Sequence, residues 1–205
     1  MFMPLPKNGS SLWLQLIILH RIFMQSFTPP LKQIKKVCVI GPECTGKSEL
    51  SKYLASHYKT ACVDEYARAY LTKLGHAYDK SDLTKIAHGQ VRMEDEWLID
   101  ARQILICDTN AIVVKVWSEF KYGDCDDEIL RLISDRTYDL YLLTYIDIPW
   151  QEDPQREHPD KREQLWTIYK NEIEKAQVPF VEIRGEREER RKKAIEAIDQ
   201  LLSHH

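Results

Sequence analysis

Glycine is scarce in this chain, with seven residues in 205 alongside nine prolines. That excludes collagen-like and other fibrous repeats. A basic excess is also missing: 29 Lys and Arg stand against 32 Asp and Glu, for a formal net charge of −3. A protein dedicated to nucleic acid carries a positive balance. Nor is there an uninterrupted run of about 20 apolar residues of the kind that crosses a bilayer. The stretch Leu12–Phe23 (LWLQLIILHRIF) is shorter and is broken by Gln15, His20 and Arg21. Paired cysteines are absent too. Cys38, Cys44, Cys62, Cys107 and Cys125 are odd in number, widely spaced and form no CxxC. This pattern argues against a disulfide framework or zinc site and for reduced thiols in a cytoplasmic protein.

What is present is enough apolar sequence, 43% of the chain, to bury one core. No Asp or Glu precedes Glu43, whereas Lys7, Arg21, Lys32 and Lys35 are basic. Residues 1–35 therefore read as an N-terminal extension, or as the product of an upstream start with Met24 as the true one. Pro29 and Pro30 link it to a single domain over 36–205.

That domain alternates strands and helices. Short apolar strands are expected at 36–40, 60–64, 104–107, 140–146 and 178–183. Between and after them, helices are expected at 48–57, 65–74, 81–103, 111–121, 126–135, 162–176 and 186–202. The helix at 81–103 is expected to be capped by Ser81 or Asp82, with Leu83, Ile86, Met93, Trp97 and Ala101 near one face. The Glu/Arg/Lys run Glu186–Lys193 reads as a solvated helix face. The class is α/β, with a parallel five-stranded sheet flanked by helices.

Gly41-Pro42-Glu43-Cys44-Thr45-Gly46-Lys47-Ser48 matches GxxxxGK[ST] directly after an apolar strand and at the start of a helix. Glycines let the backbone curl into a nest of N–H groups, and the helix N-terminus adds positive potential. Gly41, Glu43, Cys44, Thr45, Gly46, Lys47, Ser48 and Glu49 are thus expected around the phosphates of ATP, with Lys47 on the β- and γ-phosphates and the Ser48 hydroxyl on Mg²⁺. Asp108, closing the third strand, is placed to be the second Mg²⁺ ligand or to cap the helix that follows. Asp64 and Glu65 close the second strand, where they could accept hydrogen bonds from substrate hydroxyls or take a proton, or simply complement a helix dipole. Asp147–Lys161 is long, polar and broken by three prolines, and it carries Arg156 and Lys161. Such a segment suits a lid that brings a cation to a transferring phosphate and excludes water, or else it is a surface loop.

Together, GPECTGKS (41–48), VDEYAR (63–68), Asp108-Thr109-Asn110, KVWSEF (115–120) and the string Tyr138–Arg162 resemble the ribosylnicotinamide kinase domain of NadR-type NAD-biosynthesis proteins, over about residues 36–202. The resemblance implies a P-loop kinase fold with a lid. It also implies transfer of the ATP γ-phosphate to the 5′-hydroxyl of nicotinamide riboside, with Mg²⁺. Lys47, Asp64, Asp108 and Arg156 would be catalytic, Ser48 and Asp108 would hold the metal, and Asp64, Glu65, Tyr66, Arg68 and Trp117 would meet the riboside. Tyr66, Tyr70, Trp117 and Tyr122 offer faces for its cationic ring or pack in the core. Two departures stand out. Asn110 occupies a position where the family suggests a second acid, and neither the adenylyltransferase nor the helix-turn-helix domain of the larger members fits in 1–35. The expected protein is a stand-alone small-molecule kinase in a cytoplasmic setting, binding neither nucleic acid nor membrane. A kinase for another nucleoside or nucleotide, and a nucleotide-switched regulatory ATPase, are the alternatives.

Overall fold

Strands that are apolar at nearly every position belong in a sheet covered on both faces. The computed structural model, which describes residues 33–203, contains such a sheet. Strands β1 (Lys35–Ile40), β2 (Cys62–Val63), β3 (Ile104–Asp108), β4 (Leu140–Thr144) and β5 (Phe180–Ile183) are all parallel, in the order β2-β3-β1-β4-β5. The helices are α1 (Lys47–Tyr58), α2 (Tyr66–Leu74), α3 (Lys80–Trp97), α4 (Ala111–Tyr122), α5 (Asp127–Ser134), α6 (Arg162–Lys175) and α7 (Arg187–Ser203). The expected extension lies almost wholly outside the described residues. Among those described, no helix is long and apolar enough to cross a membrane.

Alternation along β1 divides the core. Val37 and Val39 face Leu50 and Leu54 of α1 and Ala194 and Ile198 of α7. Cys38 and Ile40 face Ile112, Val113 and Val116 of α4 and Leu165, Tyr169 and Ile173 of α6. A third cluster joins Ala67 of α2, Leu83, Ile86 and Ala87 of α3, and Ile129 of α5. All five cysteines are free, with Cys38 and Cys107 buried in the sheet.

Several expectations need correction. The strand expected at 60–64 is reduced to Cys62–Val63, an edge paired on one side with Ile106 and Cys107. The helix expected at 81–103 is Lys80–Trp97. Its cap is Asp79, whose side chain accepts from the Ser81 and Asp82 amides while Asp82 returns the bond to the Asp79 amide. It ends early because the chain turns through Leu98–Ala101 to enter β3. Its inner face also differs from the expected stripe. Gln90 and Glu94 are buried, whereas Trp97 is 41% exposed and Ala101 lies outside the helix. Burial raises the Glu94 pKa, and the carboxylate takes hydrogen bonds from the Tyr138 hydroxyl at 2.7 and 2.9 Å.

Candidate active site

The central strand β1 lies between β3 and β4, so the turn leaving it opens at the carboxyl edge of the sheet, where α/β proteins bind ligands. Gly41 has φ 145°, and a Cβ there would sit 2.5 Å from Thr144 Oγ1, so only glycine fits. Gly46, at φ 77°, turns the chain into α1. The Thr45 hydroxyl donates to the Pro42 carbonyl at 2.8 Å and meets Thr144 Oγ1 at 2.7 Å. Thr45 is 1% exposed, and its hydroxyl is spent on these two bonds. The Lys47 ammonium donates to the Pro42 carbonyl at 2.7 Å.

Arg190 holds this turn. Its guanidinium donates to the carbonyls of Thr45 at 2.7 Å and of Tyr145 and Gly185 at 2.9 Å, and it pairs with Asp147. It is 5% exposed, an exception with the partly buried Arg191 in a run, 186–193, that is otherwise solvated as expected. Arg191, from the same run, stacks over Tyr53 and pairs with Glu49, so the Glu49 carboxylate is engaged with α7.

A cavity of about 250 Å³ opens over the turn, bringing together Lys47, Ser48, Glu65, Arg68, Trp117 and Arg156. Gly41 and residues 43–46 also line it. Asp64 and Asp108 line an adjoining recess that shares Ser48, Glu65 and Arg156. A second recess runs from Cys44 and Gly46 to Asp147 and Gly185.

Asp108 is 2% exposed, and its Oδ1 has no hydrogen-bond partner. Burial raises its pKa to about 6; Glu65 and Asp64 push the same way, while the Ser48 hydroxyl and the Lys47 ammonium pull it down. A buried, unpartnered carboxylate oxygen beside a serine hydroxyl is a donor set that fits a hard divalent cation such as Mg²⁺. The next residue, Thr109, has φ 73°, an outlier for a β-branched side chain, while its amide bonds to the Val39 carbonyl at 3.0 Å. Asn110 caps α4, accepting from the Ile112 amide at 3.1 Å and donating to the Tyr141 hydroxyl at 3.1 Å. The cap considered for Asp108 is therefore Asn110, which leaves Asp108 free.

The aromatic candidates separate. Trp117 lines the cavity and stacks with Tyr78, ring centroids 6.3 Å apart. Tyr66 instead packs on α3, where a Cβ on Gly89 would strike its ring at 2.1 Å and where Gln90 accepts its amide at 2.9 Å. The Tyr70 hydroxyl donates to Asp82 at 2.7 Å, and Tyr122 lines none of these spaces. Asp64 is largely exposed, with Lys52 at 3.7 Å.

The segment after β4 arches over the cavity. Asp153 pairs with Arg68 at 3.1 Å, Gln155 donates to Thr72 at 3.0 Å, and Glu157 accepts from Tyr78 at 3.0 Å and Lys121 at 3.2 Å. Arg156 reaches the cavity over Cys44, and the Lys161 side of the segment closes as a short 3₁₀ turn, Pro159–Lys161. Sequence reasoning missed Tyr169, buried and lining the cavity near Glu65 and Glu43; its Leu165/Tyr169/Ile173 spacing reads as a core stripe. It also missed Arg162, whose guanidinium bonds to the carbonyls of Ile148 and Cys44.

A model of the AAA domain family (AAA_28) matches residues 36–190. The trifunctional NAD biosynthesis/regulator protein NadR of Escherichia coli (strain K12) is 26% identical over 159 residues, covering 75% of this chain and 39% of that protein. The chain thus spans well under half the length of that curated relative. Crystal structures of NadR superimpose over 97% of this chain at 19% identity. The complex with NR has a TM-score of 0.71 and 63% of its chain covered. The complex with NAD and AMP-PNP has a TM-score of 0.69 and 62% of its chain covered. Thymidylate kinase from Candida albicans matches at TM-score 0.62 and 13% identity, over 84% of this chain and 94% of that one. The fold is that of the P-loop kinases.

Proposed function

This chain belongs to the AAA domain family, and from that premise we propose that it is an ATP-dependent kinase that phosphorylates the 5′-hydroxyl of nicotinamide riboside, giving nicotinamide mononucleotide. One observation carries the reading: a single cavity is lined by Lys47 and Ser48 of the phosphate turn, the acid Glu65, the lid cation Arg156 and the aromatic Trp117. A switch that only binds and hydrolyses its nucleotide can use an acid to activate water, but it needs no aromatic wall and no lid cation around an acceptor. The likeness to NadR in sequence, and the NR held by a solved NadR chain, point to the same acceptor.

In this reading the curled turn 41–46 and the α1 N-terminus grip the phosphates, with Lys47 on the γ-phosphate. Ser48 and Asp108 would hold Mg²⁺, which neutralises phosphate charge when bound. Of the two acids after β2, Glu65 shares the cavity with Lys47 and Ser48. It accepts the proton of the attacking hydroxyl, while Asp64, on the adjoining recess, orients the ribose. The bond from the 5′-oxygen to the γ-phosphorus forms as the β–γ bridge breaks, and Arg156 stabilises the equatorial oxygens. Trp117 and the acids suit a cationic ring. The lid excludes water, so the hydroxyl outcompetes hydrolysis.

The test is a panel of acceptors presented with MgATP: nicotinamide riboside, nicotinic acid riboside, uridine, thymidine monophosphate and none. Mass spectrometry of the products should show phosphorylated nicotinamide riboside as the dominant product. Faster phosphorylation of uridine or the monophosphate would assign the chain to another acceptor. ATP hydrolysis indifferent to all of them would make it a switch.

A further inference from the structure

At two variable positions of the turn, Glu43 and Cys44, the side chains are engaged by the lid. A carboxylate facing phosphate oxygens would repel them, and Glu43 is aimed elsewhere: its Oε2 accepts from the backbone amides of Glu157 at 3.0 Å and His158 at 3.3 Å. The neighbouring Cys44 has φ 54°, in the left-handed region that a non-glycine residue adopts only when its surroundings hold it there. In that conformation its Sγ accepts from the Gln151 amide at 3.2 Å and the Arg156 guanidinium at 3.3 Å, and its thiol reaches the Pro149 carbonyl at 3.5 Å. Its carbonyl takes the Arg162 guanidinium at 3.3 Å. Two adjacent residues of the turn therefore bind the lid at Pro149, Gln151, Arg156, Glu157 and His158, and the start of α6 at Arg162.

We propose that Glu43 and Cys44 form a latch: the turn that grips phosphate with its backbone carries the lid on these two side chains, and so sets where Arg156 points. Both are positioning residues, acting through Arg156 and the lid amides. The closed lid and the shape of the phosphate turn are then one mechanical unit, because any change in the turn at 43–44 moves the anchor points at 149–158. Charge-assisted bonds from amides to a carboxylate are the stronger kind. This latch serves the kinase reading above, but the geometry that defines it does not depend on which acceptor is used.

Hydrogen exchange measured by mass spectrometry on the full chain tests it, with and without a non-hydrolysable ATP analogue. Glu43→Ala should speed exchange of the 149–158 amides by about tenfold or more, as expected for the loss of a charge-assisted bond. Exchange inside α6 should stay unchanged, which shows that the domain remains folded. Glu43→Gln, whose amide oxygen still accepts, should recover most of the protection. Cys44→Ala should loosen the same segment independently. With acceptor present, Glu43→Ala should lower kcat more than it raises KM for ATP. Unchanged exchange at 149–158 in both alanine variants would overturn the latch, and so would an acceleration spread equally through α6. If the latch variants behave as expected but wild-type protein leaves nicotinamide riboside untouched, the latch stands and the acceptor assignment falls.

Discussion

The phosphate turn and the lid above it face the same cavity but are built differently. The turn is short, its carbonyls are tied to Thr45, Lys47 and Arg190, and a glycine with no room for a Cβ fixes its course. The lid is long, more exposed and held by bonds to residues distant in sequence: Glu43, Cys44, Arg68, Tyr78 and Lys121. A short turn tied by its own side chains and clamped by the buried Arg190 holds one shape. A segment fixed by partners on the turn, on α2, on the loop before α3 and on α4 can open and close, and its placement depends on all of them. The comparison therefore separates a grip that is built in from a closure that is assembled.

The largest effect should come from the grip. Lys47→Ala should lower phosphoryl transfer by about 10³-fold or more while leaving the melting temperature nearly unchanged, because Lys47 bonds within the turn to Pro42 alone. Steady-state kinetics beside a thermal melt checks both halves. Arg190→Ala should have the opposite signature. Stripping the Thr45, Tyr145 and Gly185 carbonyls of their buried donor should cost about 3–4 kcal/mol of stability, read by urea unfolding.

The lid should show a third pattern. Arg156→Ala should lower kcat by about 10²–10³-fold with a small change in KM for ATP, the mark of an interaction made mainly in the transition state. Arg156→Lys should restore little, since a point charge does not reproduce the planar fork. Smallest of all should be Asp153→Ala. Arg68 is half exposed, so losing its ion pair should cost less than about 1 kcal/mol and matter less in high salt. A large effect there would mean that the lid is held from its α2 side rather than from the phosphate turn.

The turn was legible in the sequence because its determinants are contiguous: an apolar strand, two glycines at fixed spacing, Lys47, Ser48 and a helix. Asp108 was legible for a similar reason, standing at the end of an apolar strand. The lid could be located by its prolines and length, but its fastenings could not, since nothing local indicates that Glu43 faces the Glu157 and His158 amides. Arg190 was hidden in a run of charges, and which of several arginines is buried depends on where carbonyls from Thr45, Tyr145 and Gly185 converge. Gln90 and Glu94 were hidden for the same reason, since a polar residue on an inner helix face breaks the apolar stripe from which the face is read. Tyr66 lies beside the expected site in sequence, yet its ring is claimed by the space over Gly89.

Whether the γ-phosphate goes to a ribose hydroxyl rather than to water is read most directly by ³¹P NMR of the protein with MgATP and nicotinamide riboside. ADP and a phosphomonoester resonance coupled to the 5′ protons of the riboside should grow in equal amounts, with little inorganic phosphate. ADP accompanied by inorganic phosphate alone, at a rate the riboside does not change, would contradict transfer to the hydroxyl.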